Sequence, residues 1–260
     1  MNRSSTFLIP LLLVLALGPA AFAAPLEEGG TGRVVEVVDG DTLVLDDGRQ
    51  VRLVGIQAPK LPLGRPGFEA WPLGEKSKAA LEALTLGRVV SLRYGGRRTD
   101  RHGRSLAHLF GEDGTWIQGI LLDKGMARVY SFADNRALVP LMLAHERAAR
   151  TPGRGIWGNP FYAVRTPDEM DRFIDSFQIV EGLVLDAAVV KRRGYLNFGP
   201  DWRTDFTVSI APRDRAAFTD SGIDIEAYAG RRVRVRGWIK SYNGPMIEAT
   251  HPEQIEVLPE

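Results

Sequence analysis

The sequence predicts a mainly β, α+β protein built from two β-barrel domains, the first of which carries three helices. Short β-branched segments separated by turn signals recur along most of the chain, and this pattern indicates strands. Three longer segments show the helical spacing of apolar residues, and all of them precede Trp157. A stretch rich in glycine and proline, from Trp157 to Asp168, separates the two halves of the chain.

In the first domain, strands and helices are expected in the order β-β-β-α-β-β-α-α. The five predicted strands cover residues 33–38, 42–45, 50–56, 89–94 and 105–110. The three predicted helices cover residues 75–86, 117–124 and 138–149. Asp46-Asp47-Gly48 is a hairpin turn signal between the second and third strands. This order is typical of an OB-type five-stranded barrel with added helices.

The second domain is predicted to be a smaller, OB-like β-barrel. Its expected strands cover residues 178–186, 194–198, 206–210, 231–240 and 245–250, with a short helix at 225–228 and a closing segment at 252–257. Asn243-Gly244 supplies a hairpin turn between the last two of these strands. The arrangement resembles nucleic-acid-binding OB domains in architecture, which does not by itself determine a function.

One strand of this second domain carries a row of arginines. From Arg231 to Lys240, basic and apolar residues alternate, so Arg232, Arg234 and Arg236 are expected on one face of the strand. With Trp238, Tyr195, Phe198 and Trp202 as the available aromatic residues, this face is a candidate platform for single-stranded nucleic acid. The alternatives are an ordinary solvated surface and docking of the two domains through the aromatic residues.

The N-terminus has the pattern of a secretory signal peptide. Residues 1–23 contain a short polar head, an apolar core and an Ala-Phe-Ala end, which predicts cleavage after Ala23. Pro10 and Gly18 interrupt the apolar core, so a membrane-spanning segment is not expected. We therefore predict an exported protein, periplasmic or secreted. The chain contains no cysteine, so it forms no disulfide with itself or a partner.

The predicted domain organisation is a signal peptide at 1–23, a first domain at 31–158, a linker at 159–177 and a second domain at 178–260. The whole chain of 260 residues carries a formal charge of only +1. Residues 31–160 contain 19 Lys and Arg against 14 Asp and Glu, whereas residues 161–260 contain 13 against 16. The mildly basic first half is compatible with a polyanionic partner, but many soluble proteins have a similar charge.

Four motifs in the first domain support a resemblance to a known family. They are Val37–Leu43 with its Asp-Gly-Asp turn, Arg52–Pro59, Arg98–Ala107 with two further arginines, and Gly125–Val129 followed by Gly155-Ile156-Trp157. In this order and at these spacings, over about residues 31–158, they resemble the staphylococcal nuclease, or thermonuclease, family. Each motif alone is weak, but the series is specific.

The resemblance implies a calcium-assisted phosphodiesterase site. Asp41 would be a metal carboxylate and the backbone carbonyl of Ala58 another metal ligand, while Arg52 and Arg104 would clamp the scissile phosphate. The alternatives are that the two aspartates of the Asp-Gly-Asp turn only cap a tight hairpin, and that each arginine forms an ordinary surface ion pair.

Two residues depart from the family pattern. Gln57 and Lys60 stand where the family has a second metal carboxylate and a general-base glutamate. Gln57 offers a metal only a neutral oxygen, and a protonated lysine cannot act as a base, so weak calcium binding is expected. Lys60, Arg101 and His102 are instead candidates for binding the substrate phosphate, with plain solvation as their alternative. Glu69 and Glu75 are possible substitute bases, although Glu75 also suits a helix N-terminus.

Two functions follow as expectations. The first is an exported endonuclease that hydrolyses DNA or RNA with calcium, with single-stranded or unpaired regions favoured and catalysis weakened by Gln57 and Lys60. The second is a non-catalytic module that binds nucleic acid or protein on the same scaffold. The sequence does not determine the oligomeric state, the choice between DNA and RNA, or the general base.

Overall fold

The computed structural model describes residues 26–259 of the chain. The predicted signal peptide and its cleavage site at Ala23 lie outside these residues. Within them, no helix has the length and hydrophobicity that crossing a membrane would require.

The first domain is a closed five-stranded barrel with three helices, as predicted. Its strands run in the barrel order β1-β2-β3-β6-β5. They are β1 Glu27–Asp39, β2 Thr42–Leu45, β3 Gln50–Leu53, β5 Val89–Tyr94 and β6 Ser105–Gly111, with a short β4 at Ile56–Gln57 and β7 at Arg128–Val129. The helices are α1 Gly74–Thr85, α2 Ile117–Asp123 and α3 Val139–Arg150. The first strand begins at Glu27, four residues before residue 31, where the first domain was predicted to start.

Parallel pairing of β3 with β6 closes the barrel, while its other neighbouring strands pair antiparallel. Val51 lies opposite Ser105 in the parallel pair. The inward side chains of these strands pack with the apolar faces of the helices into one core, which includes Leu43, Leu81 and Leu121. The closed barrel therefore holds the ends of its strands in fixed positions. The polar side chains of the candidate site lie at these ends and in the adjoining turns.

The predicted strand at 50–56 is divided in two. It stops at Leu53 and resumes as β4, because Gly55 between them has a φ of 81°, in the left-handed region. After this turn the chain leaves the barrel, and Ile56 pairs with Val129 of β7 instead. This small β4-β7 ribbon forms part of the barrel mouth.

The second domain is a curled, barrel-like sheet of seven strands. The strands are β8 Phe177–Leu183, β9 Asp186–Val190, β10 Arg193–Asn197, β11 Thr207–Ile210, β12 Arg232–Ser241, β13 Pro245–Glu248 and β14 Ile255–Val257. The long β12 pairs with β8 along one edge and with β14 and β13 along the other. β11 and β13 form a parallel pair in which Thr207 lies opposite Met246.

Two details of this domain differ from the predictions. The expected single strand at 178–186 is two strands, since β8 ends at Leu183 and β9 starts at Asp186. A short helix α4, Arg215–Thr219, was not predicted. The segment at 159–177, the predicted linker, contains 3-10 helices at Pro160–Tyr162 and Pro167–Phe173.

The two domains meet at a buried ion cluster. Arg236 of β12 has only 1% of its surface exposed, and its guanidinium donates to both carboxylate oxygens of Glu146 in α3, at 3.0 and 3.1 Å. The same group donates to Glu256 of β14 at 2.5 Å. Glu146 also accepts the backbone N–H of Val129 at 2.6 Å. Because Val129 pairs with Ile56, the cluster supports the β4-β7 ribbon.

Candidate functional site

The turn between β1 and β2 carries the Asp-Gly-Asp sequence. The Asp39 carboxylate accepts the backbone N–H of Asp41 at 3.1 Å, which is the turn-capping role considered above. A side chain on Gly40 would clash with the Ser77 hydroxyl and the Ala58 methyl, so only glycine fits there. The turn is therefore pressed against α1, and this contact orients Asp41 toward the interior of the mouth.

Asp41 is fully buried and surrounded by donors. Lys60 Nζ lies 3.0 and 3.2 Å from its two carboxylate oxygens, and Arg52 Nη1 lies 3.0 Å from one of them. The backbone N–H of Ala58 donates to it at 2.7 Å. Burial alone would raise the pKa of Asp41, but the charges of Arg52 and Lys60 and the Ala58 hydrogen bond lower it to about 2.

The ammonium of Lys60 lies between two carboxylates. Its Nζ is 3.9 Å from Asp39 Oδ2, in addition to its contacts with Asp41. Burial and the negative charge of Asp41 raise the pKa of Asp39, and Lys60 partly opposes this rise. The lysine, together with Arg52, therefore balances the charge of the acidic turn.

The side chain of Gln57 binds Arg128. Its side-chain oxygen accepts two hydrogen bonds from Arg128, at 2.9 and 2.7 Å. Arg128 is buried, which lowers its pKa to about 10, and its guanidinium lies 4.5 Å from the centre of the Phe177 ring of the second domain. The Gln57 oxygen expected to face a metal is thus used to hold a buried arginine.

These residues do not fit the calcium ion that the resemblance implies. Both carboxylate oxygens of Asp41 already contact protein donors, namely Lys60, Arg52 and the Ala58 amide. The Gln57 oxygen accepts from Arg128. Calcium requires six or more oxygen ligands, usually including several carboxylates. Within residues 26–259, no three His, Cys, Asp or Glu side chains form a group that could hold a metal ion.

A cleft of about 530 Å³ opens beside Asp41 and the two cations paired with it, Arg52 and Lys60. Arg52, Lys60 and Arg104 line it, together with the exposed Arg101 and His102. The cations of the lining are more numerous than its two carboxylates, Asp100 and Asp134. Most of the predicted phosphate-binding residues therefore meet in one electropositive cleft, which suits an anionic ligand.

The cations of the cleft differ in how tightly they are held. Arg52 donates to the backbone carbonyls of Asp41, Leu53 and Ile56 at 2.8–3.2 Å, so it is fixed in place. Arg104 donates to Asp100 through Nε at 2.8 Å and pairs with it through Nη2 at 2.7 Å. These arginines are preorganised, while Arg101 remains on the surface.

Two aromatic residues form another wall of the cleft. Tyr130 and Phe132 both line it, and their rings meet edge to face with centroids 4.9 Å apart. Phe132 is about half exposed, whereas the Tyr130 hydroxyl accepts the indole N–H of Trp238 at 2.8 Å. The second domain thereby holds a side chain of the cleft.

The predicted arginine platform on β12 is wrong. Arg236 does not share an open face with its neighbours, because that face turns into the domain interface and its charge is buried against Glu146 and Glu256. Arg232 and Arg234 both pair with Glu181 of β8, at 3.2 and 2.7 Å. With Trp238 bound to Tyr130, this strand serves domain docking, the alternative considered above.

Two residues of the site were not singled out from the sequence. Arg128 holds Gln57 from a buried position, and Glu146 joins the ribbon to the second domain. Arg128 lies in a motif that the sequence did reveal, but nothing there marks it as buried. Glu146 lies in a helix among other charged residues, a pattern that usually means a solvated surface.

Known proteins resemble the first part of the chain. A family model described as "Staphylococcal nuclease homologue" matches residues 50–159. An "Uncharacterized endonuclease" of Escherichia coli O157:H7 is 31% identical over 131 residues, which are 49% of this chain and 77% of that protein. "Protein ParB" of Escherichia coli is 33% identical over 156 residues, covering 56% and 82% of the two chains. A "Thermonuclease" of Staphylococcus hyicus is 25% identical over 162 residues, covering 58% and 94%.

Proposed function

Because the chain belongs to the family of staphylococcal nuclease homologues, we propose that its barrel-mouth cleft binds the phosphodiester backbone of DNA or RNA without calcium-assisted hydrolysis. The observation that carries the proposal is the ammonium of Lys60, 3.0 Å from Asp41 and 3.9 Å from Asp39. A lysine in this position neutralises the carboxylates that a divalent cation would need. Unlike a bound metal ion, the Lys60 side chain does not leave when a chelator is added.

Binding of phosphate is supported by Arg52, Arg104 and Lys60, which line one cleft with a surplus of positive charge. Arginine suits this role because its planar group can donate two hydrogen bonds to one phosphate. The exposed ring of Phe132 lies in the same cleft and is available for stacking on an unpaired base. These features favour a single strand or an unpaired region over a regular duplex.

Suppressed hydrolysis is supported by the chemistry of Lys60. Hydrolysis of a phosphodiester requires a base that activates water and a cation that stabilises the developing charge. An ammonium group paired with two carboxylates has no lone pair with which to accept a proton from water. A missing general base typically lowers the rate by about 10² to 10⁴.

The second candidate function is metal-assisted hydrolysis, and the printed names of the relatives favour it. The relatives from Escherichia coli O157:H7 and Staphylococcus hyicus are named an endonuclease and a thermonuclease. For this chain to act in the same way, Lys60 would have to release Asp41 when substrate and metal bind. Another residue would then have to serve as the base.

The test measures binding and cleavage of a fluorescent single-stranded oligonucleotide by the purified protein, with calcium or with chelator. We expect equal affinity in both conditions and no calcium-dependent cleavage. Arg101→Ala and Arg104→Ala should weaken binding, and each should make the negative slope of log affinity against log salt shallower by about 0.7. Arg98→Ala is the matched control, since Arg98 pairs with Glu27 and does not line the cleft.

Two outcomes would contradict the proposal in different ways. Calcium-dependent cleavage that disappears in Asp41→Ala would establish the hydrolytic alternative. Unchanged oligonucleotide affinity in the Arg101→Ala and Arg104→Ala variants would show that nucleic acid does not bind in this cleft.

We also propose that the protein is exported. The support is the sequence pattern of residues 1–23, with its apolar core and Ala-Phe-Ala end. Cell fractionation of the full-length chain tests this proposal, and retention of the protein in the cytoplasm would contradict it.

A further inference from the structure

One face of the second domain's sheet is not covered by its core. On strands β9, β10, β11 and β13, alternate side chains such as Leu196, Val208 and Ile247 pack into the core. The residues between them point to the other face and lie side by side across the sheet. One row consists of Asp186, Asn197, Thr207 and Met246, and the next of Ala188, Tyr195, Ser209 and Glu248.

This face forms the floor of a groove. Two adjoining cavities of about 370 and 280 Å³ share Tyr195, Tyr242 and Met246 in their linings. Tyr242, from the turn after β12, is 67% exposed, and Trp202, from the loop after β10, is 50% exposed. Ala188 and Ser209 flank Tyr195 in its row, so small side chains leave space on both sides of that ring.

The aromatic rings of the groove have no aromatic partners within residues 26–259. Tyr195, Trp202 and Tyr242 take part in none of the ring-to-ring contacts found there, whereas core rings such as Phe198 and Phe206 pair with each other. The guanidinium of Arg203 lies over the Trp202 ring, 4.4 Å from its centre. Half-exposed rings gathered around one concavity are typical of a binding site rather than of a core.

The floor of the groove contains a buried hydroxyl that the protein does not use. Ser209 is fully buried and lines the smaller cavity, and its Oγ has no hydrogen-bond partner among residues 26–259. Leaving a buried polar group unpaired costs about 1–3 kcal/mol, so such a group calls for an explanation. A ligand that donates or accepts a hydrogen bond at the groove floor would supply the missing partner.

The charge of the groove decides what kind of ligand it suits. Among the described residues, no lysine or arginine lines the larger cavity. Its polar lining includes the Asp186 carboxylate, the amides of Asn197 and Asn243, and the Thr207 hydroxyl. In the smaller cavity, Arg193 is accompanied by Glu248. A phosphate would meet carboxylates here without a surplus of positive charge, which is unfavourable.

We propose that this groove is a saccharide-binding site. A sugar ring presents C–H groups on its face and hydroxyls around its edge. Its faces would lie on Tyr195, Trp202 and Tyr242, and its hydroxyls would bond to Asp186, Asn197 and the free Oγ of Ser209. The site is separate from the barrel-mouth cleft, and it does not depend on the function proposed there.

The test uses the purified full chain and uncharged soluble probes. Cellohexaose, maltohexaose and the hexamer of N-acetylglucosamine are titrated at millimolar concentration by calorimetry, with a short oligothymidylate as the charged comparison. We expect at least one of the sugars to bind. Trp202→Ala and Tyr242→Ala should each weaken that binding roughly three- to tenfold. Both residues are at least half exposed, so the variants are expected to fold.

Phe161→Ala is the matched control, because Phe161 is a half-exposed aromatic residue of the segment between the domains. It should leave sugar affinity unchanged. The proposal is overturned if none of the three sugars binds. It is also overturned if a sugar binds equally well to the Trp202→Ala and Tyr242→Ala variants. Oligothymidylate binding that falls in these variants, without sugar binding, would assign the groove to single strands instead.

Discussion

Replacing Arg236 by methionine should destabilise the whole protein, because Arg236 joins the two domains through buried charges. Methionine keeps a similar length and removes the guanidinium. Glu146 would keep its contacts with Arg150 at 2.7 Å and with the Val129 amide, but it would lose two hydrogen bonds from Arg236. Glu256 would lose its shortest partner.

The size of the effect follows from burial. Arg236 and Glu146 have side-chain exposures of 1% and 0%, so neither charge can be solvated once its partner is removed. Breaking such a pair costs about 3–5 kcal/mol. For a protein of this size, that corresponds to a fall in melting temperature of roughly 6 to 20 °C. An isolated surface ion pair would contribute about 1 kcal/mol or less.

The assay is urea unfolding of four proteins: the parent chain, Arg236→Met, Glu146→Gln and the double variant. Glutamine at position 146 keeps an oxygen for the Val129 N–H and removes the negative charge. The double variant should therefore lose much less than the two single losses combined, with a coupling of about 1–3 kcal/mol. Arg232→Met on the same strand is the control, since its side chain is 60% exposed.

A loss below about 1 kcal/mol for Arg236→Met, equal to that of Arg232→Met, would refute the reasoning. Additive losses in the double variant would refute it as well. Either result would mean that the two domains are held together by apolar packing and that the charges are incidental.

Three further predictions concern the site, pH and export. The double change Gln57→Asp with Lys60→Glu should give calcium binding that calorimetry detects. It should also raise DNA cleavage more than either single change, because metal and base act together. No gain in a folded double variant would contradict this prediction. Burial lowers the pKa of His108 and His251 to about 4. As pH falls, these two histidines therefore take up protons in the unfolded chain at a higher pH than in the folded protein. Stability should thus be constant above about pH 6.5 and fall by about 3 kcal/mol per histidine down to pH 4, and a flat urea midpoint over this range would disprove it. Mass spectrometry of the exported protein should find Ala24 at its N-terminus, and an intact Met1 would count against cleavage.

Much of the fold was predictable because local signals and the global arrangement agree. The fold class and the family resemblance are both confirmed, and β2 and β5 have the predicted bounds. The turns at Asp46-Asp47-Gly48 and Asn243-Gly244 are chemical signals confined to a few residues. They can be read from the sequence without knowing what packs on them.

The remaining features depend on contacts between distant parts of the chain. The alternation along β12 correctly shows which side chains share a face, but it cannot show that a second domain covers this face at Arg236. In the same way, the sequence shows a lysine in place of an acidic residue at position 60. It does not show that this lysine returns to Asp41, or that Arg128 takes the Gln57 oxygen.

The parallel strand pairs have a consequence for the speed of folding. Val51 can pair with Ser105, and Thr207 with Met246, only after long intervening segments have brought those strands together. Closing such loops costs entropy before any contact compensates for it, so barrels of this kind fold much more slowly than helical bundles of similar size. The charges of Arg236 and Glu146 can be buried only after both sheets exist, which makes docking of the domains a late step. Until the barrels close, the newly made chain exposes unpaired strand edges and remains open to proteases.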